Sequence, residues 1–421
     1  MFRLYELLLY LAFMLAFPWF LITGVPRGKY LSNFGPRFGF YKGNPSRHDL
    51  WVHAVSVGEV LAARPILQRV LEARPDTTVV VTTTTISGQT LARSLFPSAT
   101  VTYFPFDFSF AVRSFLHRYS PSTFAIMETE IWPNVSRLAA QRGVRMLLAN
   151  GRISDRSLRH YRPFRHLLSR VLSSYSVILA RDPVDRERFI AIGAPADHVE
   201  VSGNVKFDLE RQPRPLAIRP ELERLIAGRK VFVAGSTVEG EDELLIVELP
   251  ALIRELECFV VLAPRKPERF ELVAGLLAAS TIPFIRRSEL EMTGRPEGRK
   301  HDLLLLDSIG ELAAIYELAS AAFVGGSLVS SGGHNPIEPA AAGVPVCFGP
   351  HMTNFREIAA SFVQEEAAVE VGGLEELVGF VRRMLTDEEV NRSISQRAKR
   401  TVERNRGAAD LTARRILELL P

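Results

Sequence analysis

The chain has 421 residues, 47% hydrophobic and 23% charged, and a formal net charge of +4. That length suits two domains of roughly 150–200 residues better than one core. The composition excludes a disordered chain, and so small an excess of cations argues against a binder of nucleic acid along its whole length. Two cysteines, Cys258 and Cys347, exclude a disulfide scaffold or a cysteine-based zinc site and fit a reducing compartment. Mean hydropathy lies slightly above zero, which asks where the surplus apolar residues sit.

Much of that surplus is Leu7–Ile22, an uncharged run of LLLYLAFMLAFPWFLI. A spanning helix needs about 20 residues, and Thr23–Val25 extend the run. No small-residue cleavage site follows, which argues against a signal peptide. An uncleaved membrane anchor is the preferred reading, with a buried core helix as the alternative. Arg27, Lys29, Arg37, Lys42 and Arg47 come next, with no acid before Asp49. The positive-inside rule then leaves the large C-terminal part of the chain in the cytoplasm. The same cations suit anionic head groups.

From Leu50 on, apolar runs of strand length alternate with helical patterns. Strands are expected at 50–55, 77–84, 124–127, 145–149 and 176–180, with helices such as 60–71 and 110–116 between them. Arg211-Gln212-Pro213-Arg214-Pro215 breaks the alternation and reads as a linker. Strands resume at 231–234, 259–262, 303–306, 321–324 and 344–348, and 410–420 is helical. This pattern predicts βαβ units, two parallel sheets and hence two Rossmann-like α/β domains. Ligands of such sheets sit at the C-terminal ends of the strands. A site in a cleft between two facing domains is the expectation.

Several segments carry candidate chemistry. In His53–Glu59 a strand meets a helix start, where the dipole should keep Glu59 ionised as a general base. From the residues alone, a first-turn Glu that only stabilises its helix is the favoured reading. Glu128 ends another strand, in Met127–Asn134, and Lys206 precedes the linker. In the second half, Gly235-Ser236-Thr237, Gly325-Gly326-Ser327 and Gly332–Glu338 each follow a strand. Glycines with open N–H groups at a helix start suit a phosphate, and Glu338 suits ribose hydroxyls. Pro264-Arg265 adds a cation, and Ile309-Gly310-Glu311 a further glycine beside an acid. No Walker loop, H-E-x-x-H, G-x-S-x-G or G-x-G-x-x-G occurs. No Asp-x-Asp pair occurs either, which fits a donor with a single phosphate and no metal or cofactor. Arg152–Arg170 interleaves arginines with Tyr161, Phe164, Leu167 and Leu168, apt for a membrane surface or for a solvated face over a buried stripe. Its aromatics sit at core spacing, against RNA binding.

Eight of these blocks resemble one family, the 3-deoxy-D-manno-octulosonic acid (Kdo) transferases of lipopolysaccharide biosynthesis. The blocks are HAVSVGE (53–59), METEIWPN (127–134), NGRIS (150–154), GNVKFD (203–208), APRKPERF (263–270), SIGEL (308–312), FVGGSLV (323–329) and GGHNPIE (332–338). The resemblance implies a GT-B fold in which a C-terminal helix returns to the first domain. The expected division is an anchor over 1–28, an acceptor domain over 29–210, a linker over 211–220, a nucleotide domain over 221–405 and the returning helix over 406–421. It implies CMP-Kdo as donor, a lipid A precursor (lipid IVA) as acceptor and an inverting reaction. Glu59 matches the family's base, and Glu128 and Lys206 match positions that stabilise the transition state. Pro264, Arg265, Ile309, Gly310, Glu311, Asn335, Pro336, Ile337 and Glu338 match its CMP-binding segments. Two rival readings are a UDP-sugar enzyme of the same fold and a membrane-bound binder of lipid phosphates.

Overall fold

The computed structural model describes residues 1–24, 34–208, 216–290 and 301–421. Within the first segment, side chains are described from 1 to 15. Arg27, Lys29, and the linker 211–215 therefore lie outside the described residues. The chain divides into two compact units, Met1–Leu209 with Asn405–Pro421, and Glu210–Arg404.

The first unit holds a seven-stranded sheet among the described residues. Its strands are His48–His53 (β1), Val79–Thr83 (β2), Thr100–Tyr103 (β3), Pro121–Met127 (β4), Arg145–Gly151 (β5), Val177–Ala180 (β6) and Val199–Val201 (β7). All pair in parallel, in the order β3-β2-β1-β4-β5-β6-β7. A parallel sheet is covered on both faces, so its central strands are apolar on both sides. Trp51 serves one face, stacked 3.7 Å from Phe124 with its indole N–H donating to Thr82 Oγ1 at 2.8 Å. Leu50 and Val52 serve the other, in a core shared with Ala409, Ala413 and Ile416 of the helix Ala408–Leu419. Asp208 caps that helix, accepting the N–H groups of Gly407 at 2.8 Å and Ala409 at 2.7 Å. Because β1 lies between β2 and β4, the direction of winding reverses at β1, the place where such sheets bind ligands.

The N-terminal helix, Phe2–Gly24, corrects one expectation. No helix among the described residues is long and apolar enough to cross a membrane. One face of its described half lies on the first unit. Tyr5 donates to Asp107 at 2.8 Å, Glu6 accepts the N–H of Ser109 at 3.1 Å, and Tyr10 stacks 4.9 Å from Phe108. Two polar side chains are thus used as docking groups, which places them against protein and not lipid. The opposite face presents Leu4, Leu7, Leu8, Leu11, Met14 and Leu15 to solvent at helical spacing.

The second unit repeats the architecture with Val231–Thr237 (β8), Phe259–Pro264 (β9), Phe284–Arg286 (β10), Leu303–Leu305 (β11), Ala321–Val324 (β12), Val346–Phe348 (β13) and Ala368–Glu370 (β14). These also pair in parallel, in the order β10-β11-β9-β8-β12-β13-β14. Here β8 is the switch strand, between β9 and β12. Phe232 and Phe323 point into one core, and Val233 and Phe259 into the other.

Candidate active site

Strand β1 ends at His53, Ser56 is extended, and the helix Val57–Ala73 begins. Glu59 lies in its first turn, 8% exposed. Its Oε2 accepts the N–H of Val55 at 2.7 Å, and its Oε1 the hydroxyl of Ser56 at 3.4 Å. The neighbouring chain is the end of β4, since His53 is in register with Ile126. That chain carries Glu128 and Glu130. Burial, joined by the charges of Glu128 and Glu130, pushes the Glu59 carboxyl up from 4.5 to about 8 against its two hydrogen bonds. Burial and then the charge of Glu128 raise Glu130 as well. The expectation that the helix start keeps Glu59 ionised is therefore corrected. A first-turn dipole contributes about 0.3–1 kcal/mol, less than the loss of water and two like charges remove.

Glu128 reaches this position through an unusual backbone. Its φ is 55°, in the left-handed region, while its N–H still donates to Ala149 O at 2.8 Å. A side chain other than glycine there costs on the order of 1 kcal/mol or more and is sustained by its surroundings. Those surroundings are polar and specific. Thr129 accepts the N–H of Arg152 at 2.8 Å, and Asp107 accepts those of Asn134 at 3.0 Å and Val135 at 2.7 Å. The loop 128–132 is thereby held at both ends.

Lys206 is delivered by a second device. Asn150, buried and also left-handed at φ 55°, lies where the β5 register shifts between Leu148 and Gly151. Its Oδ1 accepts the N–H of Val205 at 3.1 Å. This draws the 3-10 turn Val205–Asp208, which carries Lys206, against the helix Val57–Ala73, which carries Glu59. Sequence reasoning assigned no role to Asn150 or Glu130. The Asn-Gly pair at a strand end is the signal that marks such a left-handed residue. Glu130 is marked only by a second acid within two residues of the first.

In the second unit the three predicted nucleotide segments leave the C-terminal ends of β9, β11 and β12, around the switch strand β8. Pro264 closes β9, and the N–H of Arg265 donates to Thr237 O at 2.8 Å. Gly310 is left-handed at φ 96°, beside an exposed Ile309. Glu311 is engaged, since both its oxygens accept from Arg287 at 2.8 Å. Asn335 Oδ1 accepts the N–H of Ile337 at 3.0 Å, and its Nδ2 donates to Glu338 at 3.3 Å. Pro336 precedes the short helix Ile337–Ala341. Beside Asn335, His334 is held neutral, its pKa lowered to about 4 by burial and then by the charge of Arg265. The Gly325–Ser327 turn is not an open phosphate cradle. The N–H groups of Gly326, Ser327 and Leu328 all donate to the buried carboxylate of Glu241.

The basic stretch 152–170 is divided. The helix Asp155–Tyr161, the 3-10 turn Arg162–Phe164 and the helix Arg165–Leu172 follow one another, with Pro163 at the break. Leu168 is buried, while Arg156, Arg159, Arg162, Arg165 and Phe164 are exposed.

Comparison with known proteins adds an independent line. A family model described as 3-deoxy-D-manno-octulosonic-acid transferase (kdotransferase) matches residues 32–209. The 3-deoxy-D-manno-octulosonic acid transferase of Haemophilus influenzae is 34% identical over 406 residues, covering 95% of this chain and 93% of its own. Among solved structures, the UDP-GlcNAc 2-epimerase of Neisseria meningitidis superposes with a TM-score of 0.56 at 14% identity, covering 89% of this chain and 99% of its own. MurG of Acinetobacter baumannii gives 0.54 at 14% identity, covering 89% and 100%. These two likenesses show the fold alone, a GT-B-like α/β fold on two parallel sheets. The sequence identity shows more: the chain belongs to the family of 3-deoxy-D-manno-octulosonic acid transferases, which are glycosyltransferase enzymes.

Proposed function

We propose that the protein transfers Kdo from CMP-Kdo to a lipid A precursor, lipid IVA, with Glu59 as general base. The observation that carries the base assignment is a buried carboxylate near pKa 8 at the switch point of the first sheet. A base works best with a proton affinity near the working pH. Glu59 takes the proton from the acceptor's primary hydroxyl as that oxygen attacks the anomeric carbon of Kdo. The new C–O bond forms as the bond to the CMP phosphate breaks, from the opposite face, so configuration inverts. Positive charge grows on the sugar and negative charge on the leaving phosphate. Glu128 is the group assigned to the first of these charges and Lys206 to the second, the roles that the family resemblance implies. The segments around Pro264, Arg265, 309–311 and 335–338 take the CMP portion. Gly310 and Ile309 suit main-chain contact, because the neighbouring Glu311 side chain is already occupied. The scheme requires no metal and no cofactor.

The acceptor is an acylated, phosphorylated lipid, so the enzyme has to meet it at a bilayer. Two features support membrane contact on the cytoplasmic side of the inner membrane. One is the exposed apolar stripe from Leu4 to Leu15, suited to lying in the interface plane as a monotopic anchor. The other is the exposed set Arg156, Arg159, Arg162 and Arg165 with Phe164, suited to lipid phosphates. Incubation of the pure protein with CMP-Kdo and lipid IVA, read by mass, tests the reaction. A product heavier by one or more Kdo units is expected, and an unchanged acceptor overturns it. A melting rise with CMP and none with UDP separates this donor from a UDP-sugar. Flotation with vesicles of anionic lipid, lost on replacing Leu7 and Leu11 by Asp, tests the anchor.

A further inference from the structure

The helix Glu241–Leu256 opens with Glu241, Asp242 and Glu243. Glu241 and Asp242 are fully buried, and the transfer chemistry uses neither. A buried carboxylate needs donors for its oxygens. Glu241 Oε1 accepts the N–H groups of Ser327 and Leu328, both at 2.9 Å. Its Oε2 accepts those of Gly326 at 2.6 Å and Val238 at 3.2 Å. Three of these donors belong to the turn after β12. That turn is bonded onward, Gly333 N–H to Gly326 O at 2.7 Å and His334 N–H to Gly325 O at 3.2 Å. Asn335 is the next residue. Tight packing adds to this: a Cβ on Gly325 would stand 2.5 Å from Ser236 O, so β8 and the β12 turn meet there backbone to backbone.

The other two acids work on the opposite side of β8. Arg269 donates from Nε to Asp242 Oδ2 at 2.9 Å and from Nη2 to Glu243 Oε1 at 2.6 Å. The N–H of Arg269 donates to Lys266 O at 3.0 Å, closing the segment that starts with Pro264 and Arg265. One helical turn therefore holds both loops that flank the switch strand.

We infer that Glu241, with Asp242 and Glu243, is the positioning clamp of the donor site. It fixes the 325–338 loop and, through Arg269, the 264–269 loop, so that Arg265 and Asn335–Glu338 address one nucleotide. The inference rests on the reading of those segments as CMP-binding. The same carboxylate fills the glycine turn, so the donor's phosphate is bound by other groups. These acids are positioning residues and touch no reacting atom.

Glu241→Gln is the sharpest variant. An amide has one oxygen, so its NH2 would confront two N–H donors that the carboxylate now accepts. Arg269→Gln releases the other loop at a side chain that is itself 12% exposed, between the buried Asp242 and the more exposed Glu243. Both are compared with wild-type full-length protein by initial rates, with CMP-Kdo and lipid IVA varied in turn, and by calorimetry with CMP. Each variant is expected to raise the donor KM and the CMP Kd roughly tenfold or more, with kcat within about threefold and acceptor KM unchanged. An unchanged donor KM in the folded variants overturns the clamp. So does a loss shared equally by kcat and both KM values, which marks general destabilisation. If Glu241→Gln does not fold, Arg269→Gln decides alone. Wild-type protein that neither binds CMP nor uses CMP-Kdo overturns the donor-site reading beneath it.

Discussion

The acids at the two sheet edges are treated in opposite ways. In the second unit they are matched. Glu241 meets four N–H donors, Asp242 and Glu243 share Arg269, and Glu311 takes both arms of Arg287. Burial opposes ionisation of Glu311, yet Arg287 and Ser308 hold it below the ordinary carboxylate value. In the first unit Glu59, Glu128 and Glu130 crowd one edge, and among the described residues no ion pair joins them to Lys or Arg. There burial and like charge win, and Glu59 moves up to about 8. A matched acid is architectural, because its proton affinity is spent on neighbours. An unmatched one retains the capacity to accept a proton from a ligand.

The contrast can be broken at its strongest point first. Glu59→Gln is expected to lower transfer by roughly 10²–10⁴-fold while calorimetry still finds CMP bound; near-normal turnover would remove Glu59 as base. The matched side predicts a stability effect instead. Arg287→Ala strands Glu311 half-buried and should cost about 2–4 kcal/mol in urea unfolding, with little change if the pair is ornamental. The pH profile sharpens the unmatched side. Glu59 acts deprotonated, so log kcat/KM should climb about one unit per pH unit below about 8 and level off above it. Stability runs the other way. The folded state holds a proton that the unfolded chain releases, so this contribution is full below pH 4.5 and fades as pH rises through about 8. Glu128→Gln removes one of the like charges and should move the rate inflection to lower pH; an unmoved inflection would uncouple the two acids. The smallest effect is at the N-terminal helix. Tyr5→Phe deletes one bond to Asp107, worth about 1–2 kcal/mol by denaturant melt. It should also raise further the Asp107 carboxyl, which burial already lifts to about 6.

The interior of each sheet was legible and its edges were not. Ten strands announce themselves as apolar runs, and all are interior. The strands that sequence reasoning passed over are β3, β7, β10 and β14, the four outermost ones. An edge strand is buried on fewer sides and is shorter, so it carries a weaker apolar signal. Thr100 at the start of β3 is exposed, as is Val201 in β7. At the candidate site, Glu59, Glu128 and Lys206 stood out because an acid or cation directly follows a strand. Asn150, Asp107 and Glu241 did not. Their work is to accept backbone N–H groups from segments 27–87 residues away, and no local spacing encodes a partner at that distance. The left-handed conformations of Glu128 and Ser236 are tertiary in the same sense, being imposed by neighbours and not by residue type.

The helix Ala408–Leu419 has a consequence for synthesis. It seals one face of the first sheet, with Ile416 and Leu420 in its core and Thr123 Oγ1 donating to Leu419 O at 2.7 Å. Those residues emerge from the ribosome only after 210–404, the whole of the other unit. Until then the parts of β4 and β5 that this helix packs against, with Ala125, Leu147 and Ala149, lack that cover. The first half of the chain is therefore the last to finish folding, and a nascent chain stalled between the two would be the form most prone to aggregate.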